Sequence, residues 1–307
     1  MKNIFLIAAV IITIGSCEKT VTVSIPITPS KLVLNGVVQA NNVFKTNVSK
    51  SEAVLSTNTT NSFKVNNATV VLFQNGVVKD TLLYNAPGNN YIAKNNTIAA
   101  VGNKYKLVAS ASGFTTVEAE STTPSAISIK SITKIENAKI NANGDTLHEI
   151  KIKFDDNASE NNYYLFKIKI PLYNNGAQIF YNPINCIYSN DIDIDKSSNA
   201  DPANVNECIY REFTMADKNF KGNTKTLTVF INKQELQTYT NPFNQKKYKP
   251  IVEINSLEKN YYNYRRSKQS YLDNEDNPFS EAVLVFTNVK NGYGIFSTFS
   301  IGRDTIR

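Results

Sequence analysis

The chain holds a single histidine, His148, and no tryptophan among its 307 residues. A Ser-His-Asp or Cys-His site would have to be built on that one imidazole. His148 stands between Leu147 and Glu149 at the entrance of a predicted strand, an ordinary structural setting. Multi-histidine zinc sites are excluded, because one histidine and two cysteines beyond Cys17 cannot supply the usual tetrahedral set. With tryptophan absent, the large apolar anchors fall to 16 Tyr and 16 Phe. Long apolar runs are scarce too. The one that stands out covers residues 4–14, and a bilayer span needs about 20 residues. No internal repeat of fixed period is present, and no cofactor is expected.

What is there begins with that short apolar run. Lys2 precedes it, and Ile14-Gly15-Ser16-Cys17 follows it at once. Charge, apolar segment and small residues in this order make a secretory signal. An ordinary signal would end in an A-x-A-like site, whereas here the small residues lead to a cysteine. This is the order of a bacterial lipobox, with Cys17 as the acylated first residue of the mature protein. Each buried methylene contributes about 0.8 kcal/mol, and stable anchoring takes two or more chains. The mature chain is therefore expected to sit in the cell envelope, held by lipid without a transmembrane helix. Removal of residues 1–16 lowers the formal charge from +7 to +6. Nucleic acid is not the expected partner, since the lysines are scattered singly. The one tight basic group, Arg265-Arg266 with Lys259 and Lys268, reads as a solvated helix face.

Export also bears on the remaining cysteines. Cys186 and Cys208 are an even number in an oxidising compartment, and a bridge between them would close a loop of about 20 residues. The alternative is two separate, reduced and buried thiols.

Residues 17–30, with Pro26 and Pro29, read as an extended tether. Strand signals follow. Residues 68–73 and 77–83 flank Asn75-Gly76, a type I′ hairpin signal. Residues 105–109 and 114–119 flank Ser112-Gly113 in the same way. Short strands at this spacing predict a β-sandwich over residues 31–125. Residues 126–307 predict a second β-rich domain, with strands at 148–154, 163–170, 226–231 and 251–254 and a turn at Asn175-Gly176. Residues 188–205 read as a long polar loop. An amphipathic helix is predicted near 257–272, capped by Asn255 or Ser256 and with Glu258 as a capping-box partner. Its Leu257, Tyr261, Tyr264 and Leu272 share one face. Residues 282–287 and 295–301 around Asn291-Gly292 predict a terminal hairpin.

Few groups could carry chemistry. Asp155-Asp156 are the paired acids that hydrolysis of glycans would use, but neighbours on a strand point to opposite faces, and a turn or Asx cap explains them better. Asp191, Asp193 and Asp195 alternate and are a weak calcium candidate, although Lys196 stands where the calcium loop needs glycine. On the helix, Tyr262, Arg265 and Arg266 lie off the Leu257 face and are the exposed binding candidates.

Several stretches together resemble the DUF 4249 family, a domain of unknown function found in lipoproteins of Bacteroidetes-type bacteria. They run from Cys17-Glu18-Lys19 and Lys31-Leu32-Val33-Leu34-Asn35-Gly36 through the Ala68 to Gly76 hairpin, Lys104-Tyr105-Lys106-Leu107 and Gly113-Phe114. Phe154-Asp155-Asp156, Tyr163-Tyr164, Asp217 and Phe220-Lys221-Gly222 come next. Tyr261-Tyr262-Asn263-Tyr264, Asn277-Pro278-Phe279 and Asn291-Gly292-Tyr293-Gly294-Ile295-Phe296 complete the series. The resemblance implies an Ig-like or carboxypeptidase-regulatory-like N-terminal sandwich and no activity assignable to particular residues. It further implies an accessory role beside a TonB-dependent transporter, a β-barrel of the outer membrane, because family members are often encoded next to one. A non-catalytic binding lipoprotein of the outer membrane is thus the leading expectation. A surface glycan hydrolase and a structural or adhesive protein are the alternatives. The acidic stretch that favours surface display is thin, with only Glu18 after Cys17, so the side of the membrane stays open.

Overall fold

The computed structural model describes residues 29–52, 63–174, 178–195, 208, 211–241, 245, 247–275, 281 and 283–307. The signal segment, Cys17, most of the tether, the Asn175-Gly176 turn, the Asn277-Pro278-Phe279 motif and residues 196–205 of the polar loop lie outside them.

The first section forms seven strands: β1 (Leu32–Gln39), β2 (Lys45–Lys50), β3 (Thr69–Gln74), β4 (Val77–Asn85), β5 (Asn90–Ala93), β6 (Lys104–Ser110) and β7 (Val117–Thr122). Period-two burial explains them. In β6, Tyr105, Leu107 and Ala109 are buried while Lys104 is exposed. The β3–β4 turn has positive φ at both central residues, 51° at Asn75 and 85° at Gly76, as a type I′ turn requires. β6 and β7 pair as the second expected hairpin. Phe44, Tyr91, Tyr105 and Phe296 anchor one hydrophobic core, and the Phe44 and Tyr105 rings lie 4.6 Å apart.

The second section supplies β8 (Ile129–Ile140), β9 (Thr146–Asp155), β10 (Tyr163–Asn174), β11 (Gln178–Pro183), β12 (Ile187–Tyr188), β13 (Glu212–Ala216), β14 (Thr224–Asn232), β15 (Tyr239–Thr240), β16 (Lys247–Tyr248) and β17 (Ile251–Leu257). Helix α1 (Lys259–Asn274) and β18 (Tyr293–Thr305) follow. The fold is thus mainly β with a single α-helix among the described residues. A four-stranded sheet, β12-β14-β9-β8, packs on the β10–β17 region of the large sheet. Ile152, Phe154, Leu227 and Val229 from one layer meet Tyr164, Phe166, Val252 and Ile254 from the other in a second core.

The C-terminus departs from the expected hairpin. Residues 283–289 form no strand, and Leu284 is 89 % exposed. β18 instead lies between β17, antiparallel, and β1, parallel. The large sheet therefore runs β11-β10-β17-β18-β1-β2-β5-β4-β3-β6-β7, with β13 also on β10. β18 is covered on both faces, so residues 295–298 are buried without alternation, Ser297 and Thr298 included. Gly294 at its entrance has φ 107°, and a side chain there would collide with the Leu34 carbonyl of β1. The sheet also folds back on itself, so that the Thr298 N–H donates to Ser121 Oγ on β7 at 2.9 Å.

Cys186 and Cys208 are disulfide-bonded, 22 residues apart in sequence. Chain entropy assigns such a loop about 3 kcal/mol of stabilisation. Cys186→Ser/Cys208→Ser is expected to lower the unfolding free energy by about that amount in urea titrations. Coincident transitions for variant and oxidised native chain would refute it.

Candidate functional site

Helix α1 begins later than the sequence suggested. Asn255 and Ser256 belong to β17, paired with Leu165 and Tyr164. Glu258 is itself the N-cap, with φ −73° and ψ 148°, and its carboxylate accepts from the Asn260 N–H at 3.0 Å. Leu257 therefore ends a strand, where it packs with Leu165, Ala216 and Tyr262.

The three helix candidates have different fates. Tyr262 was expected on the exposed side but is only 5 % exposed. Its ring lies 4.5 Å from that of Tyr163, and its hydroxyl donates to Asp195 at 3.0 Å. Burial, reinforced by the Asp195 charge, pushes the Tyr262 phenol well above its usual range. Arg265 is not solvated either: it pairs with Glu212, which Lys167 also holds at 2.7 Å. Burial opposes ionisation of Glu212, but the two cations outweigh it and hold the carboxyl below its usual range. Arg266 stays half open, over the Tyr262 ring at 5.7 Å and 3.6 Å from Asp195.

Asp191, Asp193 and Asp195 do not converge on a cation site. Lys225 of β14 stands among the first two, at 2.7 Å from Asp191 and in contact with Asp193. Asn219 donates to Asp193 at 2.6 Å, and Asp195 turns to α1. The weak calcium reading thus gives way to an internal ammonium that occupies the cation's place.

Asp155 and Asp156 point apart, as strand neighbours do. Asp155 accepts from the Thr224 hydroxyl at 2.6 Å and pairs with Lys130. Asp156 accepts from the Tyr164 hydroxyl and, at 2.7 Å, from the Gly222 N–H. Asp217 accepts from the Asn162 N–H at 2.9 Å, and Phe220 packs against Phe154 and Tyr164. The motifs around residues 154–156, 163–164, 217 and 220–222 therefore form one structural hub joining β9, β10 and the loop before β14. His148 is 6 % exposed, accepts from the Asn137 N–H at 3.0 Å, and is pushed by burial towards the neutral form.

Two depressions flank α1. One, of about 490 Å³, lies beside its later turns, between Tyr264, Arg265 and Lys268 and the Asn35–Val37 stretch of β1. The other, of about 350 Å³, opens at the helix start. There the exit of β7 (Thr122, Thr123, Ser125) faces the loop before β10 (Asn161) together with Tyr163 and Glu258. Burial raises the Glu258 carboxyl above its usual range despite hydrogen bonds from Asn260 and Ser297. A carboxyl raised in this way stabilises the fold at acid pH, and that contribution fades as pH rises through its folded value. Sequence reasoning found Glu258 only as a capping residue and Tyr163 only as part of a family-like stretch, and missed Glu212 altogether. Nothing local signals them, because the cleft joins segments far apart in the chain.

A search of curated proteins returns no match. The model of a family described as a domain of unknown function, DUF4249, matches residues 18–305, and the chain belongs to that family.

Proposed function

We propose that the chain is a lipoprotein of the outer membrane with a non-catalytic binding or accessory role, working alongside a TonB-dependent transporter. The observation that carries this reading is the Lys2, apolar 4–14, Gly15-Ser16-Cys17 order at the N-terminus. Membership of DUF4249 supports the transporter link through the frequent gene neighbourhood of that family. The engagement of Asp155 and Asp156 in structural contacts favours binding over hydrolysis. Affinity purification of the full-length chain from native membranes in mild detergent tests the reading. It is expected to bring down an outer-membrane β-barrel in stoichiometric amount, and recovery of the chain alone would refute the partnership.

A further inference from the structure

We propose that the cleft at the start of α1 is a binding site for a neutral polyhydroxylated ligand, a sugar, held by Glu258, Asn161 and Ser125 against the Tyr163 wall. The inference deepens the reading of this chain as a binding protein, but needs neither its lipid nor its transporter. At about 350 Å³ the cleft lies at the lower end of small-molecule sites, roughly 300–1,000 Å³.

Its walls are held in place from both cores. The Gly102 N–H donates to the Thr123 carbonyl at 2.9 Å, and the Thr123 N–H donates to Asn103 at 3.1 Å, fixing the β7 exit. Tyr163 is pinned by the Tyr262 ring on the other side. Asn162 is tied to Asp217 and, through its amide, to the Asn157 carbonyl at 2.7 Å, which fixes the loop carrying Asn161. Such preorganisation lowers the ordering cost of binding.

The chemistry of the lining selects the ligand. Carboxyls at Glu160 and Glu258 are balanced by Lys259 and by Lys221, whose ammonium donates to Asn161 at 2.8 Å, so the lining carries no excess charge that would select an anion or a cation. Hydroxyls, amides and carboxyls that both donate and accept suit a ligand rich in hydroxyls. Thr123, 1 % exposed, lines the same cleft, and its hydroxyl has no hydrogen-bond partner among the described residues.

The test is titration of the full-length chain in detergent micelles with neutral hexoses and disaccharides, followed by saturation-transfer NMR. Glucuronate and glucosamine serve as the anionic and cationic probes. At least one neutral sugar is expected to bind saturably. Glu258→Gln, which keeps an acceptor for the helix cap, is expected to weaken binding about tenfold at pH 7.5, the loss of one charge-assisted hydrogen bond. Asn161→Ala, on an exposed loop, is expected to weaken it about threefold. The native affinity should change between pH 5 and 7.5, and that of Glu258→Gln should not, a difference that a purely structural role for Glu258 does not produce. No saturation by any neutral sugar up to roughly 10 mM, preference for either charged probe, or undiminished binding in both variants would overturn the proposal.

Discussion

Lys225→Met is expected to destabilise the fold by about 3 kcal/mol at neutral pH and to make its stability rise on acidification. The Lys225 side chain is 12 % exposed, and those of Asp191 and Asp193 are 11 % and 4 % exposed. Removing one partner of a buried ionic cluster leaves the others desolvated without compensation, and here two carboxylates of like charge remain side by side. The pH dependence separates this effect from a simple loss of packing. In the native chain burial opposes ionisation of Asp193, but Lys225 and Asn219 outweigh it and hold the carboxyl below its usual range. Its contribution is therefore present above the unfolded pKa and lost as pH falls through the folded one. Without Lys225 the hydrogen bond from Asn219 remains but no cation offsets burial, so the carboxyl rises and the sign reverses. Urea midpoints at pH 4.5 and 7.5 read this directly. A variant that is native-like at pH 7.5, or that loses stability on acidification as the native chain does, would contradict the account.

That cluster also shows where sequence reading reached its limit. The alternation of Asp191, Asp193 and Asp195 is visible, but the cation that neutralises two of them arrives from β14, more than 30 residues later. Local signals transferred well. Asn75-Gly76 fixed a hairpin because only a turn with positive φ joins two right-twisted strands there, and the paired cysteines anticipated their bridge. Non-local ones did not. The apolar run 295–301 beside Asn291-Gly292 looks like one arm of a hairpin, yet its partners are β17 and the first strand of the fold. Helical periodicity placed Tyr261, Tyr264 and Leu272 inwards. In the fold Tyr262, in the first turn of α1, is buried because Tyr163 and Asp195 receive it, while Leu272 near its end is 49 % exposed.

The same contrast explains why the family motifs speak of architecture rather than activity. Asp156, Tyr164 and Gly222 are brought together from separate stretches, with Asp156 accepting from both of the others, and Asp217 accepts from the Asn162 N–H beside them. Gly222, with φ 72°, has the left-handed backbone that a side chain disfavours, and a Cβ there would also crowd Ala158. A hub of this kind holds the loop before β10, and that loop is one wall of the cleft at α1. The hub and the cleft are thus neighbours, joined through the Tyr163-Tyr164 pair.

Cys17→Ser is expected to release the chain from the membrane and to leave residues 1–16 attached. The native protein should begin at Cys17 and carry acyl chains, each methylene of which contributes about 0.8 kcal/mol to membrane binding. The apolar run 4–14 falls well short of the roughly 20 residues of a span, and no helix among the described residues is long and apolar enough to cross a membrane. Carbonate washing of membranes, followed by intact mass measurement, distinguishes the outcomes. The native chain should resist the wash and weigh more than its mature sequence, and the variant should be extracted at the mass of the unprocessed chain. A variant retained after the wash, or a native chain with an unmodified Cys17, would remove the lipid anchor from the account. The anchor also sets reach. Residues 17–30, fully extended, span at most about 45–50 Å. They enter the body at the start of β1, where the Lys31 N–H donates to Ser51 Oγ at 2.9 Å.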